Sequence, residues 1–173
     1  MKSRFLLLPL LVVAVDQWSK WLIERRLELY ESTTVIPGFF DIVHVFNTGI
    51  AFGLFPSRGE LFGTVVLGLL GLVALSIVGV YFTRAAPHHT LLLFALSLIM
   101  GGAIGNLIDR LLLGAVTDFF DVYVGSRHWP TFNVADSAIS IGIGLLALET
   151  LRSPSTQESE RSQEERELDG RAA

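Results

Sequence analysis

The stretch LFGTVVLGLLGLVALSIVGVYF, Leu61 to Phe82, decides the fold, because it carries no charged residue over its whole length. At a rise of about 1.5 Å per residue it crosses the roughly 30 Å hydrocarbon core of a bilayer as a helix. Gly68, Gly71 and Ser76 within it offer close contact to another helix. Outward from this segment lie further apolar blocks at about 5–23, 91–108 and 134–151. Together the four blocks predict an all-α integral membrane protein with four transmembrane helices. The block LLLFALSLIMGGAIGNLIDR from Leu91 stays apolar until Asn106, and its Gly101 and Gly105 stand at the GxxxG spacing that lets two helix backbones approach. The block VADSAISIGIGLLALETL from Val134 reverses this polarity: Asp136, Ser137 and Ser140 come first and the apolar run follows. Helices three and four therefore present their polar ends at the same membrane face.

Composition agrees. The 173 residues are 51% hydrophobic and only 17% charged, with mean hydropathy +0.54, which excludes an ordinary soluble domain. No cysteine is present, so disulfides, thiolate metal sites and cysteine nucleophiles are excluded and any chemistry uses oxygen or nitrogen groups. The net charge of -4, without a basic patch, argues against nucleic acid as a partner. Much of the acidity lies in SPSTQESERSQEERELDGRAA, 153–173, which has too little apolar content to fold and is expected to be a disordered, solvated tail. Residues 1–152 are expected to form one four-helix domain.

The first block begins with Lys2 and Arg4 ahead of FLLLPLLVVAV, the outline of a secretory signal peptide. The helical pattern continues through DQWSKWLI, however, with no small-residue cleavage site after Val15, and Trp18 and Trp21 suit an interfacial belt. A retained helix is the better reading. Lys2 and Arg4, Arg84 with His88 and His89, and Arg152 mark one face as cytoplasmic, and an even helix number puts both termini there. Arg25, Arg26, Arg58, Arg110 and Arg127 on the other side weaken the bias. Between helices one and two, TTVIPGFFDIVHVFNTGIAFGLF, 33–55, is rich in β-formers and broken by Gly and Pro, so it predicts a small β element outside the membrane. A faint echo links FFDIVHVFNTG from Phe39 with FFDVY from Phe119 and FNVAD from Phe132.

Ionisable groups at membrane depth are costly and each requires a partner or a purpose. Asp16, Lys20, Asp109, Arg110 and Asp136 qualify, with Asp118 just outside. Asp16 and Lys20 stand four apart on one helical face and can neutralise each other. Asp109 and Arg110 adjoin Asn106 at the end of helix three, where an arginine can also satisfy the last carbonyls. Neither Asp118 nor Asp136 has an adjacent base, and both belong to the same exposed end of helices three and four. If the connecting loop brings them face to face, the pair shares one proton: one carboxylate takes a proton from water while the other supports the forming oxyanion. The plainer alternative makes Asp136 a helix cap and Asp118 a solvated loop residue. His44, His88, His89 and His128 are scattered without metal-ligand spacing, there is no GxSxG elbow, Ser19 and Lys20 face different directions, and no phosphate-binding glycine loop occurs.

Four short blocks, DQWSK from Asp16, FNTGIAF from Phe46, GNLIDRLLLGAVTDF from Gly105 and FNVADS from Phe132, occur in an order and topology that resemble the lipoprotein signal peptidase family, signal peptidase II, of bacterial inner membranes. The resemblance runs from about Asp16 to Leu148. It implies an intramembrane aspartic endopeptidase that cleaves prolipoproteins before a cysteine carrying diacylglycerol, with a four-helix fold, an extracytoplasmic β element and an active site near the extracytoplasmic face. The family's dyad falls on Asp118 and Asp136. Its supporting polar positions fall on Asp16, Lys20, Asn47, Gly49, Asn106, Asp109, Arg110, Asn133 and Ala135. Asn47 and Asn133 would hold the substrate backbone, and Arg110 would pair with Asp109 or fix a carbonyl. No metal or cofactor is implied; the partners are the prolipoprotein and membrane lipids, and a monomer is expected. The competing readings are a small proton-coupled transporter, which would place its carboxylates nearer the midplane, and a non-catalytic membrane scaffold.

Overall fold

The structure, a computed structural model, describes residues 2–49 and 59–152. The expected end of the β element at 50–55 and the reading of 153–173 as a disordered tail lie outside the described residues. After a 3-10 turn at Lys2–Leu6, the chain forms α1 (Leu7–Arg26), β1 (Ser32–Ile36), β2 (Phe40–Asn47), α2 (Gly59–Arg84), α3 (Thr90–Leu112), β3 (Val116–Val124), β4 (Arg127–His128) and α4 (Val134–Arg152). All four α-helices include a segment long and apolar enough to cross a membrane.

Glycines make α3 the hub of the bundle. A Cβ on Gly101 would lie 3.0 Å from the Pro9 backbone and 2.7 Å from Val12 Cβ, so α1 rests directly on this position. On the α4 side, a Cβ on Gly142 would come within 2.8 Å of the Ala95 carbonyl, and one on Gly102 would collide with the Ala135 carbonyl. Interhelical packing in lipid relies on such close approach, because lipid tails are as apolar as the side chains they touch. Val12, Leu98 and Ala138 join α1, α3 and α4, with Leu8 and Leu145 packed against them. Phe82, Leu93 and Leu96 join α2 to α3. Among the described helices α2 packs on α3 alone, apart from the last-turn carbonyl of Thr83, which accepts a 2.8 Å hydrogen bond from Lys2 Nζ. A Cβ on Gly68 or Gly71 would meet nothing within 4 Å among the described residues, so the close contact expected there is not made among them.

The helix α3 continues to Leu112, past the expected end at 108, and keeps Asp109 and Arg110 on helical turns beside Asn106. The larger departure is the sheet. Its four antiparallel strands run in the order β1-β2-β3-β4, and two of them come from the link between α3 and α4 that was expected to be a loop. The echoing segments pair with each other: Phe40 faces Val122, Asp41 faces Asp121 and Val45 faces Asp118. VTDFFDVYV is dense in β-branched and aromatic residues, and pairing with β2 satisfies backbone groups that a loop would leave to water. The sheet therefore sits at the end of the bundle where α1 and α3 finish and α4 begins.

Candidate active site

The structure brings Asp16, Lys20, Asn106, Asp109, Asp118, Asn133 and Asp136 into one largely buried polar cluster, drawn from α1, α3, β3 and the start of α4. Lys20 is 3% exposed and its ammonium has three acceptors for its three hydrogens: Asp16 Oδ2 at 2.8 Å, Asp109 Oδ2 at 2.7 Å and Asn106 Oδ1 at 3.1 Å. Asp16, fully buried, uses its other oxygen to accept the Ala135 N–H at 2.9 Å. That bond binds α1 to the positive end of α4. It also explains Gly105, where a Cβ would stand 2.6 Å from Asp16 Oδ2. Lys20 thus serves two carboxylates, and Asp109, whose pairing with Arg110 was one of two roles expected of that arginine, pairs with Lys20. Arg110 Nη1 donates to the Asn106 carbonyl one turn back, at 3.2 Å.

Asn133 organises the two candidate catalytic carboxylates. Its Oδ1 accepts the Asp136 backbone N–H at 2.9 Å, while Asp136 Oδ2 accepts the Asn133 N–H at 3.3 Å. This reciprocal pair opens α4 as a capping box. Asp136 is therefore a helix-end residue and a site residue at once, since its Oδ1 accepts Asn106 Nδ2 at 2.7 Å. The Asn133 amide donates to Asp118 Oδ1 at 2.7 Å and reaches Asn106 Oδ1 at 3.1 Å and the Thr117 carbonyl at 3.3 Å. Being fully buried, Asn133 does not face a substrate as expected; it is a bracket between Asp118 and Asp136.

Asp118 lies in β3 and is 1% exposed, so the solvated-loop alternative is overturned. Asn47, at the end of β2, donates Nδ2 to Asp118 Oδ2 at 2.9 Å, and its Oδ1 accepts the Gly49 N–H at 2.9 Å. Gly49 has φ +79°, a left-handed conformation that glycine adopts without strain. The asparagines of FNTG and FNVAD thus hold one oxygen each of the same carboxylate, and each amide is oriented by a backbone N–H on its own oxygen. Burial pushes the Asp118 carboxyl up to about 6, with the Asn47 and Asn133 donors pulling it down and nearby Asp136 adding to the rise.

Sequence reasoning missed Gln17 and Thr117. Gln17 Nε2 donates to Asp109 Oδ1 at 2.8 Å. Thr117, fully buried, gives its N–H to Asp109 Oδ2 at 3.3 Å and its hydroxyl to Glu24 Oε1 at 2.8 Å. Both stand next to residues that were singled out, and only the fold shows which neighbours share the contact. A groove of about 530 Å³ reaches the cluster, lined by Asn47, Asp136, Ser137, Ser140, Ile141 and Trp129 among others. A second cavity of about 500 Å³ lies between Tyr30, Phe46, Thr64 and Leu113, and among the described residues no carboxylate, amine or imidazole lines it. Among the described residues no cluster of three or more His, Asp or Glu could hold a metal ion.

Residues 8–152 match the family described as Signal peptidase (SPase) II. The chain is 48% identical over 141 residues to a lipoprotein signal peptidase of Desulforapulum autotrophicum, covering 81% of this chain and 86% of that one. It is 46% identical over 143 residues to one from Geobacter metallireducens, covering 81% and 85%. A bacterial membrane enzyme solved by the in meso method at 1.9 Å resolution superposes with a TM-score of 0.73 at 33% identity, over 88% of this chain and 95% of that one.

Proposed function

The chain belongs to the signal peptidase II family and removes signal peptides from lipoproteins, and from that premise we propose that it does so as a metal-free aspartic peptidase with Asp118 and Asp136 as its catalytic dyad. The observation that carries this reading is the bracket: Asn133 binds both carboxylates, so they occupy one site and cannot both ionise cheaply. One carboxylate takes a proton from water as the oxygen attacks the scissile carbonyl. The other, protonated, donates to the developing oxyanion. Collapse of the tetrahedral intermediate breaks the C–N bond, the amine takes a proton from the dyad, and one shared proton remains for the next cycle.

The substrate is a prolipoprotein cut before its diacylglyceryl-cysteine. Its scissile bond reaches Asp136 through the groove beside Asn47 and Trp129, while its lipid chains stay in the membrane. Asp16, Lys20, Asn47, Gly49, Asn106, Asp109, Asn133 and Ala135 hold the dyad. Arg110, half-buried and with guanidinium hydrogens beyond the one it gives the Asn106 carbonyl, is the group we assign to a substrate carbonyl. The sheet and dyad lie at the extracytoplasmic face of the inner membrane, both termini are cytoplasmic, and the enzyme acts as a monomer among membrane lipids. A transporter reading is disfavoured because the carboxylates gather at one end of the bundle.

Purified protein in detergent is expected to convert a diacylglyceryl prolipoprotein, and chelator is expected to leave the rate unchanged. Asp118→Asn and Asp136→Asn should each lower kcat by at least about a hundredfold while remaining folded. Cleavage retained by either variant removes that aspartate from the mechanism.

A further inference from the structure

Asn106 is the only side chain that touches both Lys20 and Asp136 among the described contacts, and its orientation is forced. An asparagine amide presents oxygen on one side and NH2 on the other, so the partners decide which way it points. Lys20 Nζ has hydrogens only to give, and it stands 3.1 Å from Asn106 Oδ1. Asn133 Nδ2 lies 3.1 Å from the same oxygen and is itself a donor to Asp118. With two donors on one side, the NH2 turns to Asp136 Oδ1, 2.7 Å away. Were the amide reversed, its oxygen would face a carboxylate and its hydrogens an ammonium.

Lys20 is held for this task. Its remaining hydrogens go to Asp16 and Asp109, which are themselves fixed by the Ala135 N–H, the Thr117 N–H and Gln17. The ammonium therefore has no freedom to leave Asn106 without abandoning a buried carboxylate.

We propose that Lys20 is a positioning residue of the hydrolysis, acting on Asp136 through the Asn106 amide, which it locks with its NH2 toward that carboxylate. This rests on the reading of Asp136 as a member of the dyad. A side chain that merely held α1 in place would act independently of Asn106, whereas a relay fails once its middle link is gone.

The test is a double-mutant cycle on the full chain in detergent, with kcat, KM and thermal stability measured for Lys20→Met, Asn106→Ala, their combination, and Asp136→Asn. The expected result is that Lys20→Met and Asn106→Ala each lower kcat by roughly tenfold to a hundredfold, by analogy with removing the hydrogen-bond partners that orient metal ligands. KM stays near wild type, and the double variant is no slower than Asn106→Ala alone. Lys20→Arg repeats the cycle with the charge kept, because a planar guanidinium cannot reproduce three tetrahedral donors. Losses in kcat that multiply in the double variant, or wild-type kcat in a folded Lys20 variant, overturn the proposal. Failure of both Lys20 variants to fold makes the residue one of folding and overturns it as well. Asp136→Asn separates the two levels: substantial cleavage by that variant sinks the dyad reading itself.

Discussion

Asp118 is held between opposing influences, because its surroundings exclude water while two asparagine amides address its two oxygens. Exclusion of water prevails and its carboxyl titrates near 6 rather than 3.8. Nearby Asp136 contributes to that rise, and in the proposed dyad this ionisation is the loss of the proton the pair shares. The rate constant kcat/KM, which reports the free enzyme, should therefore decline as pH rises through about 6. The decline in kcat should lie at higher pH, because bound substrate excludes more water. A kcat/KM profile flat from about pH 5 to about pH 8 would remove Asp118 from the titration. The stability consequence has a definite sign. A carboxyl raised in the folded state contributes stability that is complete below its unfolded pKa and is lost as pH rises through about 6. Asp118→Asn should abolish that part of the pH dependence of thermal unfolding. At this scale the sequence already pointed to both aspartates, since carboxylates without adjacent bases are conspicuous in an apolar chain. The resemblance placed Asn133 among the supporting positions, but the sequence could not show that its amide joins Asp118 to Asp136 or that Asp109 pairs with Lys20, because such pairing depends on side chains far apart in the chain.

At the scale of elements, the hub role of α3 rests on where side chains are missing. A methyl on Gly105 meets Asp16 Oδ2 at 2.6 Å, whereas one on Gly68 meets nothing within 4 Å among the described residues. Gly105→Ala should therefore destabilise the protein by about 1–3 kcal/mol through overpacking and lower kcat as well, since Asp16 holds both Lys20 and α4. Gly68→Ala should leave activity unchanged and stability equal or slightly higher, as expected for alanine in an unobstructed helix. Unfolding midpoints in detergent beside turnover numbers check both, and equal effects at the two positions would contradict the packing described here. The helices were legible because a bilayer imposes a length and a composition. Strand β3 carried a signal too, in Val116, Thr117, Phe119, Phe120, Val122, Tyr123 and Val124. That signal is ambiguous without a partner strand, and β2 lies more than sixty residues away in the chain.

For the whole molecule, the decisive feature is that, among the described residues, one end of the bundle collects the buried ionisable groups. The sheet, the asparagine bracket and the mouth of the groove share the end where α1 and α3 finish and α4 starts. Lys2 and the α2–α3 link stand at the other end, where Lys2 Nζ reaches the Thr83 carbonyl. Orientation in the membrane then decides which compartment the dyad serves, and the charge bias of the loops alone leaves it weakly specified. The absence of cysteine in the chain makes a direct test clean. Val124, 71% exposed at the end of β3, and His88, exposed in the α2–α3 link, mark the two ends. Val124→Cys should react with a membrane-impermeant maleimide in intact spheroplasts, and His88→Cys only after the membrane is opened. The reverse pattern would place the dyad at the cytoplasmic face, where the scissile bond of an exported, lipid-anchored precursor does not arrive, and the topology proposed for cleavage would have to be abandoned.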